Sequence, residues 1–315
     1  MNLTIKHLSY FVALAETGSF GGAAAKVHVT QPALSLQIKD MEARIGTALV
    51  ERLPRDIRLT RAGQEVLTRA RVILAQMRDL EAAVRLSEGL RGQLSLGVIP
   101  TIAPYLLPRA LTRIKAANLD LELRVREAQT ADLLAAVAQG RLDAAVIALP
   151  FELDGLVAEP LFTDRFLLAG SRARIDSLQG TSAPMRPTDL PPDALLLLDE
   201  GHCLADQALE VCGLKRARAS VDLGASSLGT LCGMVGQGYG LTFVPEIALK
   251  AEQAASPEMA VLRFPTPEPA RTIALVRRAS TEGKSWFTDL AALIAEAGTT
   301  QIGLARADVP QQARA

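Results

Sequence analysis

At 315 residues the chain is too long for one ordinary core, so two or three domains are expected. Hydrophobic residues make up 49% and charged residues 22%, the balance of a folded globular protein, while aromatics at 4% leave the cores to Leu, Val, Ile and Ala. With 34 basic and 34 acidic residues the net charge is zero, so any nucleic-acid surface must be local. The N-terminus breaks its apolar stretches with Lys6, His7 and Glu16 and has no signal-peptide core, and no apolar run approaches the length of a membrane span. These features predict a cytoplasmic protein, where any disulfide is more often transient, catalytic or sensory than a structural staple.

The first elements predicted are three helices. Residues 3–17 carry apolar side chains at helical spacing. Ser19 suits the N-cap of a short helix over Phe20–Val27, and Thr30 that of a third helix with Pro32 in its first turn and Gly46 at its end. In that third helix Ala33, Leu34, Ile38, Met41 and Ile45 form the predicted buried stripe. Gln31, Ser35, Gln37 and Lys39 lie off the stripe: amides and hydroxyls near a helix start suit base edges, and Lys suits phosphate. Next, Arg52, Arg55, Arg58 and Arg61 follow closely in ERLPRDIRLTRAG, where the alternation around Ile57 and Leu59 predicts a small β-ribbon. Spacing alone also allows a packing module with a solvated basic ribbon.

A long helix is predicted from Ala62 to about Ser87, with Val66, Leu67, Ala70, Ile73, Leu74, Met77, Leu80 and Val84 on one stripe. Such a helix between domains must bury its stripe on a partner chain. Glu88 to Gly92 reads as a hinge. Beyond it, short apolar runs alternate with helical segments. Strands are predicted at 94–99, 121–127, 144–148, 166–169, 195–198, 219–223, 241–244, 261–264 and 273–276, in parallel sheets. The expected divisions are 1–61, 62–91, 92–299 and a disordered tail over 300–315.

Within LLLLDEGHCLADQALEVCGLK, a helix over 203–212 ending at Gly213 puts Cys203 in its first turn, where backbone N–H groups and the helix dipole favour a thiolate. Cys212 lies at the other end. Nine residues of continuous helix separate the two Cα atoms by about 13 Å, whereas a disulfide needs them within ~7 Å. Either the two never pair, or pairing unravels the helix. Both can also be buried small hydrophobes, the reading given to Cys232 in TLCGMVGQG.

The stretch FVALAETGSFGGAAAKVHVTQPALSLQIKDMEARIGTALVERLPRDIRLTRAG resembles the winged helix-turn-helix of LysR-type transcription regulators. The resemblance implies that Gln31, Pro32, Ser35, Gln37 and Lys39 sit in or beside the major groove, with Arg52, Arg55 and Arg58 on the wing. It also implies that the long helix dimerises and that the remainder is a two-lobed α/β effector domain of periplasmic-binding-protein type. GHCLADQA resembles the motif of the peroxide-sensing, OxyR-like branch of that family, with supporting likeness in GVIPTIAPYLLP, REAQTADLL, ASSLGTL and PEPARTIALV. This implies a peroxidatic Cys203, a resolving Cys212, and peroxide-binding or activating roles for Thr101, Thr130, His202, Asp206 and Arg271. Ala205 and Ala270 depart from the pattern, which commonly carries arginine there. Implied partners are double-stranded operator DNA, the chain itself as dimer and tetramer, RNA polymerase, and glutaredoxin or thioredoxin. No cofactor, metal, membrane or enzymatic turnover is called for. Two alternatives stand beside this reading: a LysR-type regulator with a small-molecule effector in the interlobe cleft, for which a Cys203→Ser variant keeps its response, and a thiol peroxidase, which leaves the TQPALS helix unexplained.

Overall fold

The structure is a computed structural model, and it describes residues 3–52, 57–85, 92–117, 121–179, 185–191, 194–199, 201, 203–213, 225–281 and 285–308. The chain divides into two compact units, one of residues 1–84 with 139–141 and one of 85–138 with 142–315.

The first unit begins with α1 (Ile5–Thr17), α2 (Phe20–Lys26) and α3 (Gln31–Ile45). Each starts where a hydroxyl can accept a backbone N–H: Thr4 from His7, Ser19 from Gly22 and Thr30 from Ala33. A Cβ at Gly22 would lie 2.9 Å from Ser19 Oγ, so glycine there clears the cap. On α3 the side chains of Leu34, Ile38 and Met41 are fully buried with Phe11 and Leu14 of α1. Ala33, predicted on the stripe, is exposed, because the buried face narrows towards the open N-terminal turn. His7 Nε2 meets Asp40 Oδ2 at 3.1 Å, which ties α1 to α3. The hydrogen bond from Arg44 holds the Asp40 carboxyl below its ordinary range. Strands β1 (Val50–Arg52) and β2 (Ile57–Leu59) pair antiparallel as the predicted ribbon. Helix α4 (Arg61–Arg85) packs Leu67, Ala70 and Leu74 on this core and leaves Val72, Ile73, Met77 and Leu80 exposed.

The second unit is built on a seven-stranded sheet in the order β4-β3-β5-β9-β6-β7, with β8 also on β6. Its strands are β3 (Gly92–Val98), β4 (Leu121–Glu127), β5 (Ala144–Leu149), β6 (Leu156–Ser171), β7 (Thr242–Pro245), β8 (Met259–Arg263) and β9 (Ala270–Arg278). Among the described strands β3 alone pairs in parallel, with β4 and β5; every pairing of β6 and β9 there is antiparallel. This corrects the expectation of parallel sheets. The apolar run at 166–169 is only the buried end of a 16-residue strand, whose first half serves one lobe with β9 and whose second half serves the other with β7 and β8. One strand shared by two lobes must return through the sheet, and that return is antiparallel. The first lobe carries α5 (Ala103–Ala117) and α6 (Thr130–Ala138). The second carries α7 (Arg172–Gln179), α8 (Cys203–Val211), α9 (Leu228–Gly236) and α10 (Leu249–Ala255).

Two further expectations need correcting. The strand expected at 195–198 is a pair of isolated bridges, Leu195 to Leu241 and Leu198 to Ala225, while 219–223 lies outside the described residues. The tail expected to be disordered from 300 is helical through Asp308, as the end of α11 (Ser285–Asp308). Ile302 and Ala305 are buried there, and Arg306 donates to both carboxylate oxygens of Glu246 at 3.0 Å. That bond belongs to a buried cluster in which Arg263 also holds Glu246 and Glu268. Burial pushes the Glu246 carboxyl up, but the Arg306 and Arg263 bonds outweigh it and hold it below the usual carboxylate range.

Candidate functional site

The turn after β3 and the start of α6 both lie at carboxyl ends of strands, where α/β sheets bind ligands. They bring Thr101 and Thr130 against the first residue of α8. Ile99, Pro100, Thr101, Gln129, Thr130, Gly201 and Cys203 line one small, closed pocket. The lining closes on itself tightly enough to leave no water-sized space, so even a ligand of a few atoms enters only as these side chains give way.

Its polar groups come in two states. Thr101 Oγ1 accepts from Arg271 Nη1 at 3.0 Å, and Arg271 is itself held by Asp164, with Nη2 to Oδ2 at 2.9 Å. Thr130 is buried and its hydroxyl has no hydrogen-bond partner among the described residues. It is the first residue of α6 rather than its cap, so the local role a helix-start threonine usually plays does not account for it. A buried hydroxyl without a partner is costly, and a bound ligand relieves the cost.

Cys203 is partly buried and opens α8. Cys212 is buried just past the last turn, where its N–H meets the Ala208 carbonyl at 3.2 Å and Gly213 turns the chain at φ 65°. Burial pushes the Cys212 thiol up to about 11. Cys232 is fully buried on α9, as expected of a core cysteine, and burial raises it well above the ordinary thiol range. Asp206 lies in the first turn of α8 but is exposed and outside the pocket lining, and His202 lies outside the described residues. Of the seven residues expected at this site, Thr101, Thr130 and Cys203 share the pocket, Arg271 joins through Thr101, and Cys212 stands at the far end of the helix. Ala205 is buried and Ala270 exposed, so an arginine at 205 would need space this core does not leave.

Three residues in or around the site had no assignment from the sequence. Gln129 closes one side of the pocket against Gly201, where a Cβ would fall 2.3 Å from its Oε1 and where φ is +90°. Gln207, within the quoted DQA motif, donates from Nε2 to the Leu149 carbonyl at 3.2 Å, while its Oε1 is buried with no partner among the described residues. Asp164 carried one signal only, a carboxylate two residues before a buried apolar run.

In the first unit, Gln31, Pro32 and Lys39 are exposed on α3, and Ser35 and Gln37 are half-buried beside them. Arg58 is exposed on β2, the Arg52 backbone belongs to β1, and Arg55 lies outside the described residues. Among the described residues no helix is long and apolar enough to cross a membrane.

Comparison with known proteins agrees with this division of labour. Residues 5–64 match the bacterial regulatory helix-turn-helix protein, lysR family, and residues 87–298 match the LysR substrate binding domain. A probable hydrogen peroxide-inducible genes activator of Mycobacterium avium is 40% identical over 300 residues, covering 95% of each chain. A full-length cysteine-to-aspartate variant of OxyR from Pseudomonas aeruginosa superposes with a TM-score of 0.70 at 32% identity, covering 93% of this chain and 98% of that one. The hydrogen peroxide-bound form of a cysteine-to-serine mutant of Corynebacterium glutamicum OxyR gives 0.65 at 31% identity, covering 100% and 98%. The chain is a DNA-binding transcription regulator, not an enzyme, and it belongs to the LysR family, in its OxyR-like branch.

Proposed function

We propose that this chain senses hydrogen peroxide by oxidation of Cys203 and a following disulfide with Cys212, and so controls antioxidant genes. The observation that supports the reading is the small pocket lined together by Cys203, Thr101 and Thr130, whose buried hydroxyl has no partner among the described residues. The thiolate attacks one peroxide oxygen: an S–O bond forms, the O–O bond breaks, and the departing hydroxide takes up the proton released by the thiol and leaves as water. The sulfur loses two electrons and becomes a sulfenic acid. Thr101 and Thr130 offer hydrogen bonds to the peroxide oxygens and Arg271 acts through Thr101, with His202 and Asp206 assisting from either side of Cys203 in the chain.

Cys212 then attacks the sulfenic sulfur, the S–S bond forms, and a second water departs. Nine residues at helical rise set the two Cα atoms about 13 Å apart, too far for that bond, so α8 must unwind. Unwinding exposes Leu204 and Leu209, now buried, each worth about 1.5–3 kcal/mol. The chemical step therefore becomes a change of shape.

The signal passes to operator DNA read by Gln31, Pro32, Ser35, Gln37 and Lys39, with Arg52, Arg55 and Arg58 on the wing. The exposed stripe Val72, Ile73, Met77 and Leu80 on α4 supports a dimer, and a tetramer built of two such dimers repositions its reading heads on oxidation. RNA polymerase receives the output, and glutaredoxin or thioredoxin in the cytoplasm resets the disulfide.

The test is peptide mapping of the purified protein before and after a small molar excess of hydrogen peroxide. A reductant-reversible Cys203–Cys212 bond that disappears in Cys203→Ser is the expected result. Both thiols left free and unoxidised would overturn the proposal.

A further inference from the structure

We propose that Asp164 is a positioning residue for the Cys203 reaction: it fixes the Arg271 guanidinium, which in turn holds Thr101 with its hydroxyl proton directed into the pocket. The inference rests on the reading of Cys203 as the peroxide-reactive thiol.

Asp164 and Arg271 stand opposite each other in the antiparallel register of β6 and β9, and they are 0% and 3% exposed. Arg271 Nε and Nη2 both donate to Asp164 Oδ2, at 3.0 and 2.9 Å. The other oxygen, Oδ1, accepts the Ile247 N–H at 3.0 Å. With both oxygens engaged the carboxylate cannot turn, and it grips one edge of the guanidinium plane. Phe166 lies against that plane, its ring centre 5.7 Å from the guanidinium carbon.

The free edge of Arg271 faces Thr101. Nη1 donates to Thr101 Oγ1 at 3.0 Å, and Nη2 reaches the Thr101 carbonyl at 3.4 Å. A guanidinium only donates, so the Thr101 hydroxyl accepts on this side and its own proton must point elsewhere. The remaining open side is the pocket that Thr101 shares with Cys203. In the step where the O–O bond breaks and hydroxide leaves, a donor aimed at the leaving oxygen stabilises the charge that develops there. A buried ion pair is often no more stabilising than apolar packing of the same volume. What apolar packing would not supply here is a donor of fixed direction.

The experiment uses the purified full-length protein and two rates at Cys203: oxidation by hydrogen peroxide, and alkylation by iodoacetamide, which needs the thiolate but no oxygen-binding groups. Asp164→Asn is expected to slow oxidation about tenfold and to leave alkylation within about twofold of wild type. Asp164→Glu, which keeps the charge, should recover part of the loss. Asp164→Asn leaves a buried guanidinium under-paired and so can fail to fold. The double variant Asp164→Asn, Arg271→Gln buries no charge and keeps the question open to measurement. It should oxidise at the rate of Arg271→Gln alone, because Asp164 acts only through Arg271.

Oxidation of Asp164→Asn at the wild-type rate would overturn the proposal, as would oxidation and alkylation falling together. A double variant well below Arg271→Gln would do the same. Those outcomes leave the sensor reading standing. A wild-type Cys203 that reacts with peroxide no faster than a free cysteine would remove that reading itself.

Discussion

On the proposed function helices α3 and α8 each carry chemistry from the first turn onward, yet they are held in opposite ways. α3 is capped by Thr30, closed by Gly46 at φ 84°, anchored by three fully buried side chains and strapped to α1 through Asp40 and His7. α8 has a half-buried thiol at its start, a buried thiol just past its end, and between them Gln207, with one oxygen unpartnered among the described residues. A helix that reads base edges must present one fixed geometry. A helix whose two ends are to be joined by a disulfide must be able to give its geometry up.

The largest expected effect breaks the rigid member of this pair. Ile38→Ala removes a side chain with no exposure and should cost the first unit about 2–5 kcal/mol, measured by denaturant unfolding of that transition. Operator binding should be lost at temperatures where Cys203 still reacts with peroxide at the wild-type rate. A parallel loss of Cys203 reactivity would sink the idea that reading and sensing rest on separate cores.

The contrast also decides what could be read in advance. α3 was legible down to its caps because Thr30, Pro32, Leu34, Ile38, Met41 and Gly46 act within one helix, and local spacing encodes local contacts. Cys203 and Cys212 were legible for the same reason, and the distance between them followed from helical rise alone. The pocket drew on the family resemblance to reach Thr101, Thr130 and Arg271, because those residues meet only once β3, α6 and β9 are assembled. Asp164 escaped even that. Its meaning is a register across two antiparallel strands, and β6 revealed only its apolar last third to pattern reading, which also hid the mixed sheet. Arg306 was misjudged with the tail because the carboxylate that orders it, Glu246, lies 60 residues earlier.

The second test concerns the buried end of α8. With the Cys212 thiol raised to about 11 from an ordinary thiol value of 9.0, its native thiolate fraction at pH 8 is about a hundredfold below that of an unfolded cysteine. Alkylation of Cys212 in the reduced native protein should be slower by at least that factor. It should rise about tenfold per pH unit until pH reaches about 11. The sign for stability follows: the folded state holds this proton more tightly, so the contribution is intact below about pH 9 and is lost as pH climbs through 11. Peptide mass spectrometry after timed iodoacetamide treatment reads the rates. Native Cys212 alkylated at pH 8 as fast as in urea would mean that the far end of α8 is already open before oxidation.

The smallest effect probes why α8 can give way. Gln207 makes one neutral hydrogen bond, to the Leu149 carbonyl, and strands its other polar atom in the core. The bond is worth about 1 kcal/mol and the stranded oxygen costs about 1–3 kcal/mol, so the residue as it stands favours the helix little or not at all. Gln207→Met keeps the volume and removes both polar atoms. The reduced protein should then change in stability by less than about 1.5 kcal/mol, with the balance towards a firmer helix. Peroxide should convert Cys203 to sulfenic acid as fast as before, because Gln207 does not line the pocket, whereas closure of the Cys203–Cys212 bond should slow. Thermal unfolding of the reduced form and time-resolved trapping of the sulfenic acid separate the two steps. A variant several kcal/mol less stable would show that the Leu149 bond outweighs the stranded oxygen, and the ease of unwinding would then have to come from the ends of α8 rather than its middle.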